Sequence, residues 1–296
     1  MQPLRMSPVS WSADFAPRRI KDLKMIDVEP EPLSPSGMAF EKAALSYDLE
    51  ATNLMVSRWL RERIWKRLSQ LFNPGQRVLE IGCGTGEDAV WLAQHGIQVL
   101  ASDASPAMLE QAQEKAHKAG VADLITFQQL DLTDALMWNL PEHTFDGAYS
   151  NFGALNCIGD WRSLGLELER IIRPGGNLGF GLMGRLCAWE IVWSLLHLDM
   201  GKAGRRWSGK SLANIHHVRF PVYYPTPKRF GRQLGGAFTR QFLMGVGVFL
   251  PPSELYVAVG SRPRLSRWLH LLEKLGSTLP GLRVIGDHYW IEFKRI

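Results

Sequence analysis

The spacing of apolar residues changes along the chain, and the changes divide it. Over 51–71 apolar residues recur three and four apart, at Leu54, Met55, Trp59, Leu60, Ile64, Trp65, Leu68 and Leu71, the period of one helix face. This helical pattern covers 40–72, and Asn73-Pro74-Gly75 stops it. Short apolar runs then alternate with amphipathic stretches. The runs 77–81, 98–102, 125–129, 145–150 and 177–182 read as strands, and 87–95, 106–119 and 160–172 as helices. Ser105 and Pro106 provide a cap and a first helical position for the second of these helices.

Such alternation predicts an α/β fold, a doubly wound and mostly parallel sheet with right-handed crossovers. Two more strands, 239–248 and 288–294, bring the sheet to seven. Residues 1–37 hold six prolines and no clear period, so they are expected to form a flexible leader. The core unit is then 38–183. A basic insertion and a short helix (225–234, with Thr226 as cap) fill 184–238, and 239–296 completes the same sheet around a helical insertion. Within the insertions, 186–198 and 263–275 read as helices and the stretch between 198 and 225 as a Gly- and Arg-rich loop.

Composition narrows the class. With 46% hydrophobic and 21% charged residues, the chain matches soluble globular proteins. No apolar run approaches the roughly 18 residues of a membrane span, and MQPLRMSPVSWSADF lacks the apolar centre of a secretory signal. Three cysteines, Cys83, Cys157 and Cys187, without paired spacing fit a reducing, cytoplasmic compartment and argue against a disulfide framework or a zinc site. The net charge of +5 is local: between Gly184 and Gln233 nine Lys or Arg face only Glu190 and Asp199. Charge of one sign in one place suits a partner of the other sign.

The candidate chemistry starts in VLEIGCGTGEDA, 78–89. A strand runs into Gly82, Gly84 and Gly86 and then into a helix start, a place where backbone N–H groups meet a polar ligand. The spacing is not the G-x-G-x-x-G of dinucleotide sites, since Glu87 follows Gly86, and no G-K-[ST] follows as in a P-loop. Glu80 just before the glycines disfavours a pyrophosphate and favours a ligand carrying an amino group.

VLEIGCGTG followed by VLASDASPAML, then FQQLDL, YSNFGALN and RPGG, resembles the class I S-adenosylmethionine-dependent methyltransferases, small-molecule type, from about Phe40 to Leu182 and again in the last two strands. The resemblance implies S-adenosyl-L-methionine as cofactor. It implies that Gly82, Cys83, Gly84 and Gly86 border it, that backbone around Gly82 and Ser150 meets its methionine part, and that Glu80 neighbours its charge. Asp103, ending the second strand, would accept from both ribose hydroxyls. Ala104 and Met108 would flank the adenine, Asp131 would accept from its amine with Leu132 alongside, and Tyr47 would fold over the cofactor.

Methyl transfer from a sulfonium is an in-line displacement whose electrophile is already activated, so the protein must chiefly position the acceptor and exclude water. A base is needed only when the acceptor must lose a proton. Weak candidates for catalytic contact are Asn151 and Asn156 after the fourth strand and His216 and His217 in the insertion, with His143 a further histidine in a turn. Asn151 opens N-F-G-A and not the (D/N)-P-P-(Y/F) of amino-methylating nucleic-acid enzymes, and no nucleic-acid-binding module is recognisable. A small-molecule substrate is therefore expected and nucleic acid disfavoured.

Specificity in such folds lies in what is added to the sheet. The insertion helices carry Trp189, Ile191, Trp193, Leu195 and Leu196, then Leu265, Trp268, Leu269, Leu272 and Leu275. They are expected to pack into a cap over the substrate mouth which, with Arg205, Arg206 and Arg219 nearby, would suit an apolar molecule with an acidic end. Aromatic and basic residues together also suit peripheral contact with an anionic membrane, or a lipid-like substrate. Burial in the insertion's own core is an equal alternative. The other functional readings are a catalytically silent protein of this fold that binds cofactor or partner, and a macromolecule methyltransferase.

Overall fold

The computed structural model describes residues 32–252 and 262–296. Most of the expected leader and the middle of the second insertion lie outside the described residues. The helices are α1 (Pro35–Tyr47), α2 (Met55–Leu71), α3 (Glu87–Gln94), α4 (Pro106–Lys118), α5 (Trp161–Ile171), α6 (Ala188–Leu196), α7 (Met200–Ala203), α8 (Pro227–Leu234) and α9 (Pro263–Gly276). The strands are β1 (Arg77–Ile81), β2 (Gln98–Asp103), β3 (Ile125–Gln129), β4 (Phe145–Ser150), β5 (Ile172–Met183), β6 (Lys210–Ile215), β7 (Val218–Tyr223), β8 (Phe238–Val246) and β9 (His288–Arg295).

Seven strands form one sheet in the order β3-β2-β1-β4-β5-β9-β8. The first five run parallel, and β9 inserts antiparallel between β5 and β8. Alternate residues of β1 feed opposite faces: Leu79 and Ile81 join the core under α5 and α8, while Val78 joins the core under α2, α3 and α4. A strand buried on both faces has to be apolar throughout, so the buried Glu80 in the middle of β1 stands out.

Local chemistry sets the element ends. Ser34, Ser105, Asp160 and Thr226 accept backbone N–H groups at the starts of α1, α4, α5 and α8, and Pro35, Pro106 and Pro227 occupy first-turn positions. The first helix of the described residues begins at Pro35, ahead of the expected Met38. The single helical stretch expected over 40–72 is divided. Asp48–Thr52 form a π-helical turn between α1 and α2. Asp48 is held there by Thr85 at 2.6 Å and Lys115 at 2.8 Å. A periodicity count cannot register such tertiary bonds, and turns of this kind gather at functional sites.

The segment expected as a Gly- and Arg-rich loop contains a hairpin, β6–β7, separate from the main sheet. His216 and His217 make its two-residue turn with φ of 45° and 64°, the left-handed pair that a type I′ turn requires.

Candidate functional site

The strand order reverses between β1 and β4, and the crevice at the carboxyl ends of those strands is where an open α/β sheet takes its ligand. A cavity of about 290 Å³ opens there. One half is lined by the glycine loop and the ends of β1–β3, the other by α1, the turn after β4 and the hairpin.

The loop half is rich in carboxylates. Glu80, Glu87, Asp88, Asp103 and Asp131 all line it. Asp103 accepts the Gly84 N–H at 2.9 Å through one oxygen and the Ser105 N–H at 3.0 Å through the other. A carboxylate has about four acceptor positions, so two remain for a ligand. Burial pushes the Asp103 carboxyl up, against those backbone donors. Glu80 is 3% exposed, and the Tyr149 hydroxyl is set against its carboxyl. Burial first, then repulsion from Asp88, pushes its carboxyl well above the usual range. Asp131 spends Oδ1 on Thr133, whose N–H donates at 2.9 Å.

The glycines differ in purpose. A Cβ on Gly84 (φ 52°) would meet only the Tyr47 ring, at 4.0 Å, so this residue keeps the loop open toward the cavity. A Cβ on Gly86 would stand 2.7 Å from that of Ala112. Gly86 therefore lets α3 approach α4 and does not border the cavity. Ser150 is likewise buried behind the wall, donating to the Ile81 carbonyl at 2.7 Å. Tyr47, Gly82, Cys83, Ala104, Met108 and Leu132 all line the cavity with the acids. Glu41 of α1 accepts from Ser105 Oγ at 2.6 Å and from the Ala107 N–H at 3.0 Å, latching α1 over the start of α4.

Asp88 organises the floor. It accepts from Arg61 at 2.6 Å, Trp65 Nε1 at 2.7 Å and Asn151 Nδ2 at 2.9 Å. Arg61 lines the cavity with its guanidinium over the Phe152 ring, 4.5 Å from the centroid. Asn151 also accepts the Phe152 N–H at 2.9 Å, so both ends of its amide serve the protein. Asn156 is fully buried. Its Oδ1 accepts from Met183 N at 2.9 Å, and its Nδ2 donates to the carbonyls of Met183 at 3.0 Å and Tyr223 at 2.6 Å. It stitches β5 and the hairpin to the turn after β4 and lies outside the cavity lining.

The other half is apolar. Phe40, Met183, Ile215, Phe220, Val222 and Tyr224 line it. The alternation along β7 turns Phe220 and Val222 inward and Arg219 outward, so Arg219 is away from the cavity. Of the three arginines expected at the mouth, only Arg205 lines it. Glu190 holds Arg205 through Nε and Nη2 at 2.5 and 2.8 Å. Arg206 is buried and paired with Glu190 and with Asp287 at 2.7 Å each. His216 and His217, being the hairpin turn, are exposed and outside the lining, and His143 lies by Arg295 at the opposite end of β9 from His288.

One further histidine stands behind Gly153 and Phe152, outside the cavity lining. His288 Nδ1 faces Asp287 Oδ2 at 3.1 Å. Its Nε2 is turned to Gly153, where a Cβ would come within 3.5 Å of it.

These features agree with the comparisons. A family model described as a methyltransferase domain matches residues 78–176. A demethylmenaquinone methyltransferase of Symbiobacterium thermophilum is 30% identical over 184 residues, 56% of this chain and 70% of that one. The chain belongs to the S-adenosylmethionine-dependent methyltransferases. A 2-phytyl-1,4-naphthoquinone methyltransferase of Synechococcus elongatus is 34% identical over 121 residues, 39% of this chain and half of that protein. In fold, the chain is similar to geranyl diphosphate C-methyltransferase of Streptomyces coelicolor, with a TM-score of 0.51 at 12% identity over 80% of each chain.

S-adenosylmethionine is the cofactor of this methyltransferase, and it supplies a methyl group activated by a positively charged sulfur. The site fits it. The half lined by Glu80, Glu87, Asp88, Asp103 and Asp131 suits a ligand that carries positive charge and hydrogen-bond donors. Arg61, Asp88, Phe40, Phe220 and Val222 are among the lining residues that the sequence did not mark. Arg61 lies in the polar arc of α2, where only its reach to Asp88 across 27 residues marks it.

Proposed function

We propose that this methyltransferase acts on a small, largely apolar metabolite, ring-bearing or lipid-like, that carries an acidic or carbonyl oxygen. One observation carries the reading: the half of the cavity away from the glycine loop is apolar and aromatic, with the Arg205 guanidinium as its cation. Apolar walls with a few placed polar groups are the usual make-up of a small-molecule site. Two relatives are named for demethylmenaquinone and 2-phytyl-1,4-naphthoquinone, molecules of this description.

In this reading Glu80, Asp103 and Asp131 hold the ammonium, ribose and adenine, with Tyr47, Ala104, Met108 and Leu132 packed around them, and Arg61 pairs with the cofactor carboxylate. Phe40, Phe220 and Val222 fix the acceptor and exclude water. Asn156, His216 and His217 lie outside the cavity lining and do none of this work, while Asn151 lines the cavity with both ends of its amide bonded to the protein.

The experiment is label transfer. Purified protein is incubated with methyl-labelled S-adenosylmethionine and either a reduced naphthoquinone lacking the methyl group or a host extract. The products are then separated into lipid, metabolite, protein and nucleic-acid fractions. Label in the quinol, lipid or metabolite fraction is expected. Label confined to protein or nucleic acid would overturn the substrate class, and cofactor binding without turnover on any fraction would favour a silent binding protein.

A further inference from the structure

The two insertion helices are amphipathic the wrong way round. On α9 the residues turned to the protein are Ser266, Leu269, Glu273 and Gly276, all buried. On the outer side stand Leu265, Trp268, Leu271 and Leu275, with Trp268 58% and Leu275 67% exposed, while Leu272 is half-buried between the two faces. On α6 the buried residues are Glu190 and Ser194, while Val192, Trp193, Leu195 and Leu196 face out. The exposed stretch continues through Leu198, 88% exposed, into Met200 of α7. Helices that bury Ser and Glu and expose Leu and Trp reverse the ordinary pattern of a surface helix. Trp189 of α6 and Leu269 of α9 pack into one apolar cluster, so the two helices share a foundation.

The charges around this face all have one sign on α9. Arg264, Arg267 and Lys274 are exposed beside the leucine stripe. The helix's carboxylate, Glu273, is fully buried and accepts the N–H groups of Gly247 at 3.0 Å and Phe249 at 2.7 Å. On α6, Glu190 is consumed by Arg205 and Arg206. On α9, Leu and Trp flanked by cations with the acid withdrawn is the surface of a helix lying in a lipid headgroup layer, and on α6–α7 the exposed acid is Asp199 at the start of α7. No helix among the described residues is long and apolar enough to cross a membrane.

We propose that the outer faces of α9 and of α6–α7 form a docking surface for an anionic lipid bilayer. A second copy of the chain fits less well, because a two-fold contact through α9 would set Arg264, Arg267 and Lys274 against themselves. A nucleic acid would meet the cations but would leave the leucines without a partner, since its bases stack on aromatic faces. The proposal is independent of which acceptor is methylated.

The test is co-sedimentation of the full chain with phosphatidylcholine vesicles, with and without phosphatidylglycerol, at low and raised salt. Two double variants accompany it, Arg264→Glu with Arg267→Glu, and Trp268→Ser with Leu275→Ser. Thermal unfolding and S-adenosylmethionine affinity check that each variant is folded. The expected result is salt-sensitive binding to the phosphatidylglycerol vesicles, weakened at least about tenfold by either pair of substitutions. Absence of wild-type binding would overturn the proposal, as would binding indifferent to both pairs. So would a concentration-dependent dimer that the Trp268→Ser, Leu275→Ser variant abolishes, or retention of an oligonucleotide in place of the vesicles.

Discussion

The Asp103 carboxylate, at the end of β2, takes the Gly84 N–H of the glycine loop at 2.9 Å. The acid therefore shapes the loop as well as facing the cavity. Asp103→Ala is expected to weaken S-adenosylmethionine binding by about 1–3 kcal/mol, the range for losing a charged acceptor. Asp103→Asn keeps an oxygen for Gly84 and separates the loop from the ligand contribution. Titration calorimetry on the folded variants measures both, and an unchanged affinity for Asp103→Ala would remove this residue from the site.

Glu80 gives a pH signature. Its raised carboxyl binds a proton more tightly in the folded protein than in the unfolded chain. The stability it contributes to the free protein is therefore full below the usual glutamate range and is lost as pH rises toward the raised value. An ammonium beside Glu80 favours the carboxylate, so cofactor binding in that window releases a proton. Calorimetry in two buffers of different ionisation enthalpy should detect the release. Glu80→Gln should abolish it, weaken binding and stabilise the free protein at alkaline pH. Equal proton release from the wild type and Glu80→Gln would show that Glu80 does not change its protonation state on binding.

Arg206 holds two buried carboxylates, so Arg206→Met should cost about 3–5 kcal/mol, the usual penalty for breaking a buried pair from one side. Burial alone would raise the Asp287 carboxyl, but His288 and Arg206 outweigh it and hold it well below the usual range. A depressed carboxyl lends stability that is present above its unfolded range and is lost as pH falls through its folded one. The variant should therefore unfold at a higher pH on the acid side, as denaturant titrations across pH will show. An unshifted acid limb would mean that another group carries the linkage.

Much of the fold was legible because period and punctuation agree. Strands β1 to β4 and helices α3 to α5 follow from short apolar runs, caps and Gly or Pro stops. Most residues named for the cofactor meet along one half of the cavity for a related reason: they sit at strand ends, where sequence position fixes spatial position. What escaped depends on contacts between distant parts. The break after Tyr47 rests on Asp48 reaching Thr85 and Lys115. Asn156 looked like a ligand group because its buried carbonyl partners lie 27 and 67 residues away. The hairpin hid behind its two histidines, because a left-handed pair in a turn is usually signalled by Asn or Gly. The insertion helices were expected to turn their leucines inward, and only the fold shows Glu190 and Glu273 taking that side.

The hairpin shares no strand pairing with the seven-stranded sheet. It is attached through α1, whose Ala39 and Phe40 pack on Phe220 and Val222, and through the amide of Asn156. Its inner residues therefore form a detachable panel. Lineages or engineers can exchange Phe220, Val222 or the whole β6–β7 ribbon, and so retune which molecule is accepted, while the sheet and the glycine loop go on gripping the same donor.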